Sequence, residues 1–211
     1  MLHSGGPNNP NYPDGIRPTL FREGLEYQDW VRPHLASIAI VPQYNVSQRG
    51  QLENGESWQG VEIKLDSRIS DSGRLSIEIA EKTRAANAYW IPSGIRRDDN
   101  TVIYVQGNRE IVFCFGRKHL LDEYYKRERN AEQFHESHGT IRKFYIPIVR
   151  AAYIAFAVFA FRDSRFGRQG RLQFDGSTRD LFGWDGGERQ LVKCRPNGDL
   201  LLFDFVHQEY H

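Results

Sequence analysis

The stretch GVEIKLD, Gly60 to Asp66, decides how the first half of this chain is read. Val61, Ile63 and Leu65 fall on one face of an extended segment, and Glu62, Lys64 and Asp66 on the other, because strand side chains alternate with period two. Such an acid–base–acid row faces either water or a site. The next extended segment, LSIEIA at 75–80, alternates in the same way, with Leu75, Ile77 and Ile79 against Ser76 and Glu78. Two such segments close in sequence are expected to pair as an antiparallel hairpin. Burying both apolar sets on one side fixes the register, since a one-residue slip inverts a strand. Glu62, Lys64, Asp66 and Glu78 then share the opposite face.

Cross-strand neighbours sit about 5 Å apart. Two carboxylates about 4 Å apart repel by roughly 4 kcal/mol at an effective dielectric of about 20. Lys64 offsets part of that repulsion. A divalent cation offsets more, and hard oxygen ligands suit Mg²⁺ or Mn²⁺. An ion so held activates water and stabilises charge on a phosphoryl oxygen. The plain alternative is a solvated sheet face with surface ion pairs, because antiparallel sheets often wet one side.

Working outward, the chain has 211 residues, enough for one domain with an appended region or for two small ones. With 39% hydrophobic and 26% charged residues it belongs among globular chains rather than disordered ones. The net charge of +1 points to no partner, so an anionic ligand needs a local patch or a metal. Cys114 and Cys194 form no CxxC or metal spacing and read as reduced thiols of a cytoplasmic protein, with a disulfide as the alternative. The most apolar run, Ala151 to Phe161, is too short to cross a bilayer as a helix and is expected in the core, with no membrane partner.

Residues 1–18 read as an irregular lead-in. A helix is expected over 22–35, with Leu25, Trp30 and Val31 on its buried side, then a strand near 37–44 and a loop to residue 59. After the strands 60–66 and 75–80, EKTRAANAYW at 81–90 reads as a helix. Strands are expected at 101–107 and 109–116, and the longest helix at 118–136. The core so defined spans 19–138. From 139 to 211 short strands alternate with glycine-containing turns, including an Asn197-Gly198 hairpin signal, and read as a β-rich extension packed on the core.

This order, with an acid closing the second strand and another on the third, resembles the PD-(D/E)xK nuclease superfamily. The resemblance implies an α/β fold: a restriction-endonuclease-like mixed-sheet core flanked by helices, with the β-rich C-terminal extension added. It places Asp66 as the first acid and Glu78 as the second, twelve residues on. Glu78-Ile79-Ala80 lacks the usual lysine, so Lys64 would supply the cation and Glu62 a further ligand. A second alignment takes Glu62-Ile63-Lys64 as a literal Glu-x-Lys, with Glu56 or Glu53 as the preceding acid, and leaves Asp66 unexplained. The first is preferred on topology. Glu26 on the first helix is a further candidate, against a plain surface role.

The function implied is a Mg²⁺- or Mn²⁺-dependent DNA endonuclease, with a homodimer suited to double-stranded substrate. Glu62, Asp66 and Glu78 would hold the metal, and Lys64 would stand near the scissile phosphate. Arg96 and Arg97, in the loop PSGIRRDDN, and Arg165, Arg168 and Arg171, interleaved with Gly and Phe, are candidate DNA-backbone contacts. The rival reading is a catalytically inert nucleic-acid-binding or assembly protein on the same fold, favoured by the missing lysine after Glu78. A third is a β-rich ligand-binding protein. No dinucleotide fingerprint, Walker A loop or GxSxG elbow is present.

Overall fold

GVEIKLD forms a strand, but LSIEIA is not its neighbour. A computed structural model describes residues 16–44, 56–161, 171–174, 177–180 and 189–192. Strand β1 (Val61–Leu65) is followed by a short helix α2 (Ile69–Ser72) and then by β2 (Arg74–Glu81) in a different sheet. The long helix α1 (Ile16–Ala36) precedes them. After β2 come β3 (Ile91–Pro92), a 3₁₀ turn at Gly94–Arg96, β4 (Ile103–Gly107), β5 (Ile111–Gly116) and helix α3 (Arg117–Arg129). Then follow β6 (His135–Ser137), β7 (Ile141–Pro147), α4 (Ile148–Ile154) and β8 (Ala157–Phe161). Strands β9 (Arg171–Phe174), β10 (Ser177–Asp180) and β11 (Arg189–Val192) complete the described elements.

The architecture is mixed α/β. A five-stranded sheet has the order β1-β4-β5-β8-β11, and a four-stranded sheet the order β3-β2-β7-β6. β1 runs parallel to β4, with Val61 opposite Ile103 and Leu65 opposite Gly107, while the other pairs are antiparallel. Parallel neighbours need a crossover of a dozen residues or more. Residues 66–102 provide it, and they build β2 and β3 of the other sheet on the way. β2 pairs instead with β7, Ile77 opposite Phe144 and Glu78 opposite Lys143. The expected β1–β2 hairpin is therefore corrected. Its connection is taken by α2, which Gly73 closes at φ 62 with its N–H on the Ile69 carbonyl.

Two apolar layers flank the larger sheet. On one side Val61, Ile63, Ile103, Val105, Val112, Cys114 and Phe159 pack with Tyr27, Val31 and Leu35 of α1. The i, i+4, i+8 spacing of those three residues makes the buried stripe of the helix. Leu25, expected on that stripe, is exposed. On the other side Tyr104, Ile111, Phe113, Phe115 and Val158 meet Leu75, Ile77, Ile79, Phe144 and Ile146 of the smaller sheet, with Leu120 and Tyr124 of α3. The run 151–161 ends α4 and forms β8, buried at Ala151, Val158 and Ala160.

Three further expectations are corrected. Residues 37–44 form no strand beyond a single bridge from Tyr44 to Ser57. They leave α1 through Ala39, at φ 62, with the Ile40 N–H on the Leu35 carbonyl. Residues 82–90 are not helical, because AANA offers no apolar stripe to bury. Helix α3 stops at Arg129, and His135–Ser137 become β6. Of the β-rich extension, β9 pairs with β10, and β11 joins the larger sheet beside β8. The Asn197-Gly198 turn, Cys194, Arg165 and Arg168 lie outside the described residues. No helix among the described residues is long and apolar enough to cross a membrane.

Candidate functional site

The polar row of β1 looks into the space between the two sheets. Glu62 is 0% exposed although it is charged. Its register neighbour on β4 is Tyr104, and that of Lys64 is Gln106. The Lys64 ammonium lies 2.8 Å from Glu62 Oε1 and 2.9 Å from Glu56 Oε1. Two carboxylates thus converge on one cation. The buried Glu62 carboxylate has two neighbouring donors, the Lys64 ammonium and the hydroxyl of Tyr104 across the β1–β4 register.

The electrostatics follow from these neighbours. Burial alone would raise the pKa of Glu62, but Lys64 and then Arg97 outweigh it and hold the carboxyl below its ordinary value. Burial would lower the pKa of Lys64, yet Glu62 and Glu56 drive it well above the ordinary lysine value. Tyr104 is pushed far up, first by burial and then by the Glu62 charge. Glu81 is raised by burial and by Glu78.

Arg97 reaches this space because its loop is stapled. The Arg117 guanidinium, at the start of α3, donates to the carbonyls of Ile95 at 2.8 Å, of Asp99 and Thr101 at 3.1 Å, and of Arg97. It also pairs with the Asp99 carboxylate at 3.5 Å. Gly94 permits the approach: at φ +53, a Cβ there would stand 2.3 Å from the Glu78 carbonyl oxygen. Arg97 is pushed above its ordinary value, Glu62 and Tyr104 overcoming the effect of burial. Arg96 points elsewhere and stacks on Tyr124, 4.8 Å from the ring centroid. Neither the staple nor the approach leaves a periodic trace, and sequence reasoning missed Arg117 and Tyr104.

The other sequence-derived residues are distributed around this space. Asp66 is almost buried, and its carboxylate accepts from the backbone N–H of Ser76 at 2.9 Å, from Arg68 N–H at 3.3 Å and from Gln106 Nε2 at 3.4 Å. It ties the end of β1 to the start of β2. Glu78 is half-buried and accepts from the Ser93 hydroxyl at 2.6 Å. Glu56 also accepts from the Ile63 N–H at 3.1 Å. Glu26 pairs with Arg22 along exposed α1 at 3.6 Å. Arg171 falls within β9. Glu53 lies outside the described residues.

Among the described residues no three His, Cys, Asp or Glu side chains form a group that could hold a metal ion. Mg²⁺, however, often takes only one or two carboxylates and completes its shell with water and phosphate. Glu62 and Glu56, two carboxylates converging on the same ammonium, fit that pattern. A groove of about 350 Å³ opens between α1 and the edge of β1, lined by Gln28, Glu56, Lys64 and Ser67 among others but not by Glu62.

A scan of protein-family models and searches of curated proteins and of solved structures return no match to this chain.

Proposed function

We propose that this chain hydrolyses DNA phosphodiester bonds with the help of a divalent cation, as a restriction-endonuclease-like enzyme, at the cleft where Glu56, Glu62 and Lys64 meet. The observation that carries this reading is the single ammonium held between two carboxylates, one of them fully buried. The grouping supports the literal Glu-x-Lys alignment, with Glu56 as the preceding acid, over the one built on Asp66 and Glu78.

Glu62 and Glu56 would hold the ion, which when bound supplies Lewis-acid polarisation of a phosphoryl oxygen and a more acidic water. Glu62, with its lowered pKa, is ionised at neutral pH and offers full negative charge. Lys64 remains protonated there, so it takes no proton and acts by presenting positive charge to the phosphate. Arg97 adds a second cation near the same carboxylate.

A second reading rests on a different observation. Glu62 is fully buried, and a phosphate reaches it only if Lys64 moves. That favours an inert nucleic-acid-binding protein in which the trio is a structural ion-pair network.

Incubation of supercoiled plasmid with Mg²⁺, Mn²⁺ or EDTA separates the two. Hydrolysis predicts nicking with either metal, none in EDTA, and a rate loss on the order of 100- to 1,000-fold in Lys64→Ala, the usual scale for removing a preorganised charge donor. Glu56→Gln should be comparably damaged and Asp66→Asn mildly, with circular dichroism confirming the fold of each. A wild-type protein silent with both metals overturns the hydrolytic reading and leaves the inert one.

A further inference from the structure

The segment after β2, residues 82–92, which takes in most of the supposed helix at 81–90, carries the most exposed of the large hydrophobic side chains among the described residues. Tyr89 is 87% exposed, and Ile91 two residues on is 54% exposed. A free aromatic ring in water is costly unless something covers it, because apolar area is expelled from water by about 25 cal/mol per Å². The segment does not simply hang loose. The Lys82 N–H donates to the Thr140 carbonyl at 2.8 Å. Ala85 lies so close to Gly139, at φ +65, that a Cβ there would stand 3.0 Å from the alanine methyl. The segment is thereby tacked to the β6–β7 turn, and its exposed ring is presented from a fixed base.

The surroundings are basic. Residues 82–92 contain Lys82 and Arg84 and no acid. Trp90 carries the Lys82 ammonium 4.3 Å and the Arg142 guanidinium 4.4 Å from its ring centroid. These contacts set two cations on the residue next to Tyr89 in the chain. The nearby acids are Glu136, which pairs with Arg142 at 2.8 Å, and exposed Glu81 at the end of β2. An open aromatic ring beside clustered cations complements a chain that offers flat bases and phosphates together.

We infer that the Tyr89–Trp90 segment is a landing site for single-stranded nucleic acid: a base stacks on Tyr89 while Lys82, Arg84 and Arg142 meet the flanking phosphates. A paired duplex hides its base faces, so it cannot use the ring, whereas every unpaired base can. The inference rests on the nucleic-acid half of the proposed function and adds an unpaired strand as the ligand form. It does not depend on hydrolysis.

The test is fluorescence anisotropy of an end-labelled oligothymidine of about twelve nucleotides, within the usual site size, titrated with the full chain in EDTA so that cleavage plays no part. The wild type should bind it more tightly than a hairpin duplex of equal phosphate count. Tyr89→Ala should weaken single-strand binding by about tenfold, within the range for losing one stacked base, and leave duplex binding unchanged. Arg84→Ala should flatten the dependence of log K on log salt by about 0.7, the loss of one single-strand phosphate contact. Unchanged affinity in Tyr89→Ala, or equal affinity for the duplex, overturns the inference. So does equal affinity for a polyglutamate peptide, which would show the patch to be a mere anion binder. A protein that binds the oligomer as described yet never nicks plasmid sinks the hydrolytic reading alone.

Discussion

β1 and β2 carry the same alternation of apolar and charged residues, yet Glu62 of β1 is walled in and Glu78 of β2 is half open. β1 belongs to the middle layer, with α1 on one face and the smaller sheet on the other. β2 belongs to the outer layer, and its Ser76 and Glu78 keep partial contact with water. The consequence is electrostatic. A carboxylate taken fully out of water must be compensated by nearby charge, and Glu62 has Lys64 and Arg97. Glu78 is served by a single serine hydroxyl. An alternating pattern therefore assigns residues to faces, and the layer in which the strand lands decides what each face costs.

The sharpest way to break this comparison is to remove one carboxylate from each strand. Glu62→Ala takes from the half-exposed Lys64 its fully buried partner, and should cost about 2 kcal/mol, within the range for hydrogen bonds to charged groups, because Glu56 still holds Lys64. Glu78→Ala removes a half-exposed hydrogen bond and should cost about 1 kcal/mol. Urea denaturation measures both. Equal losses would mean that the walls around β1 are not as closed as described.

Acid titration sharpens the same contrast with a smaller effect. The carboxyl of Glu62 sits below its ordinary value of 4.5 in the folded chain, Lys64 and Arg97 overriding burial. A lowered folded pKa contributes stability that is full above 4.5 and is lost as the pH falls through the folded value. Glu123 adds to the same loss, because hydrogen bonds from Arg150 and Arg127 overcome burial and lower it. Glu81, raised by burial and Glu78, works in the opposite sense and gains as it protonates. The denaturation midpoint should fall below about pH 4.5, with a shallower slope in Glu62→Gln. An acid slope in Glu62→Gln equal to that of the wild type would show that Lys64 and Arg97 do not compensate Glu62 as its surroundings imply.

Alternation and helical spacing in the sequence located β1, β2, β4, β5, α1 and α3, because each element's own residues carry its period. The partner of β1 was invisible for a physical reason. Val61, Ile63 and Leu65 bury equally well beside LSIEIA or beside TVIYVQG, and the choice is made by a crossover of residues far along the chain. The supposed helix at 81–90 failed because alanine-rich composition without an apolar stripe gives nothing to pack. At the site, the charges of GVEIKLD stood out plainly. The cation staple of Arg117 and the aim of Arg97 depend on carbonyls brought together only by folding.

The smallest effect concerns the exit from the helix that covers β1. Ala39 adopts φ 62, which suits glycine and is strained for a residue with a Cβ. Ala39→Gly should raise stability by about 1 kcal/mol, read as a higher urea midpoint, with no change in the properties of either strand.

The outer edge of β1 has one more consequence. It is the free rim of the five-stranded sheet, where an open row of N–H and C=O groups would invite another extended chain. Here the Val61 N–H is taken by the Ser57 hydroxyl at 2.7 Å, the Val61 carbonyl accepts from that hydroxyl at 2.9 Å, and the Ile63 N–H is taken by Glu56 at 3.1 Å. Two side chains from the preceding turn imitate a neighbouring strand. Zipping copies of this protein together along β1 would require expelling these two side chains first.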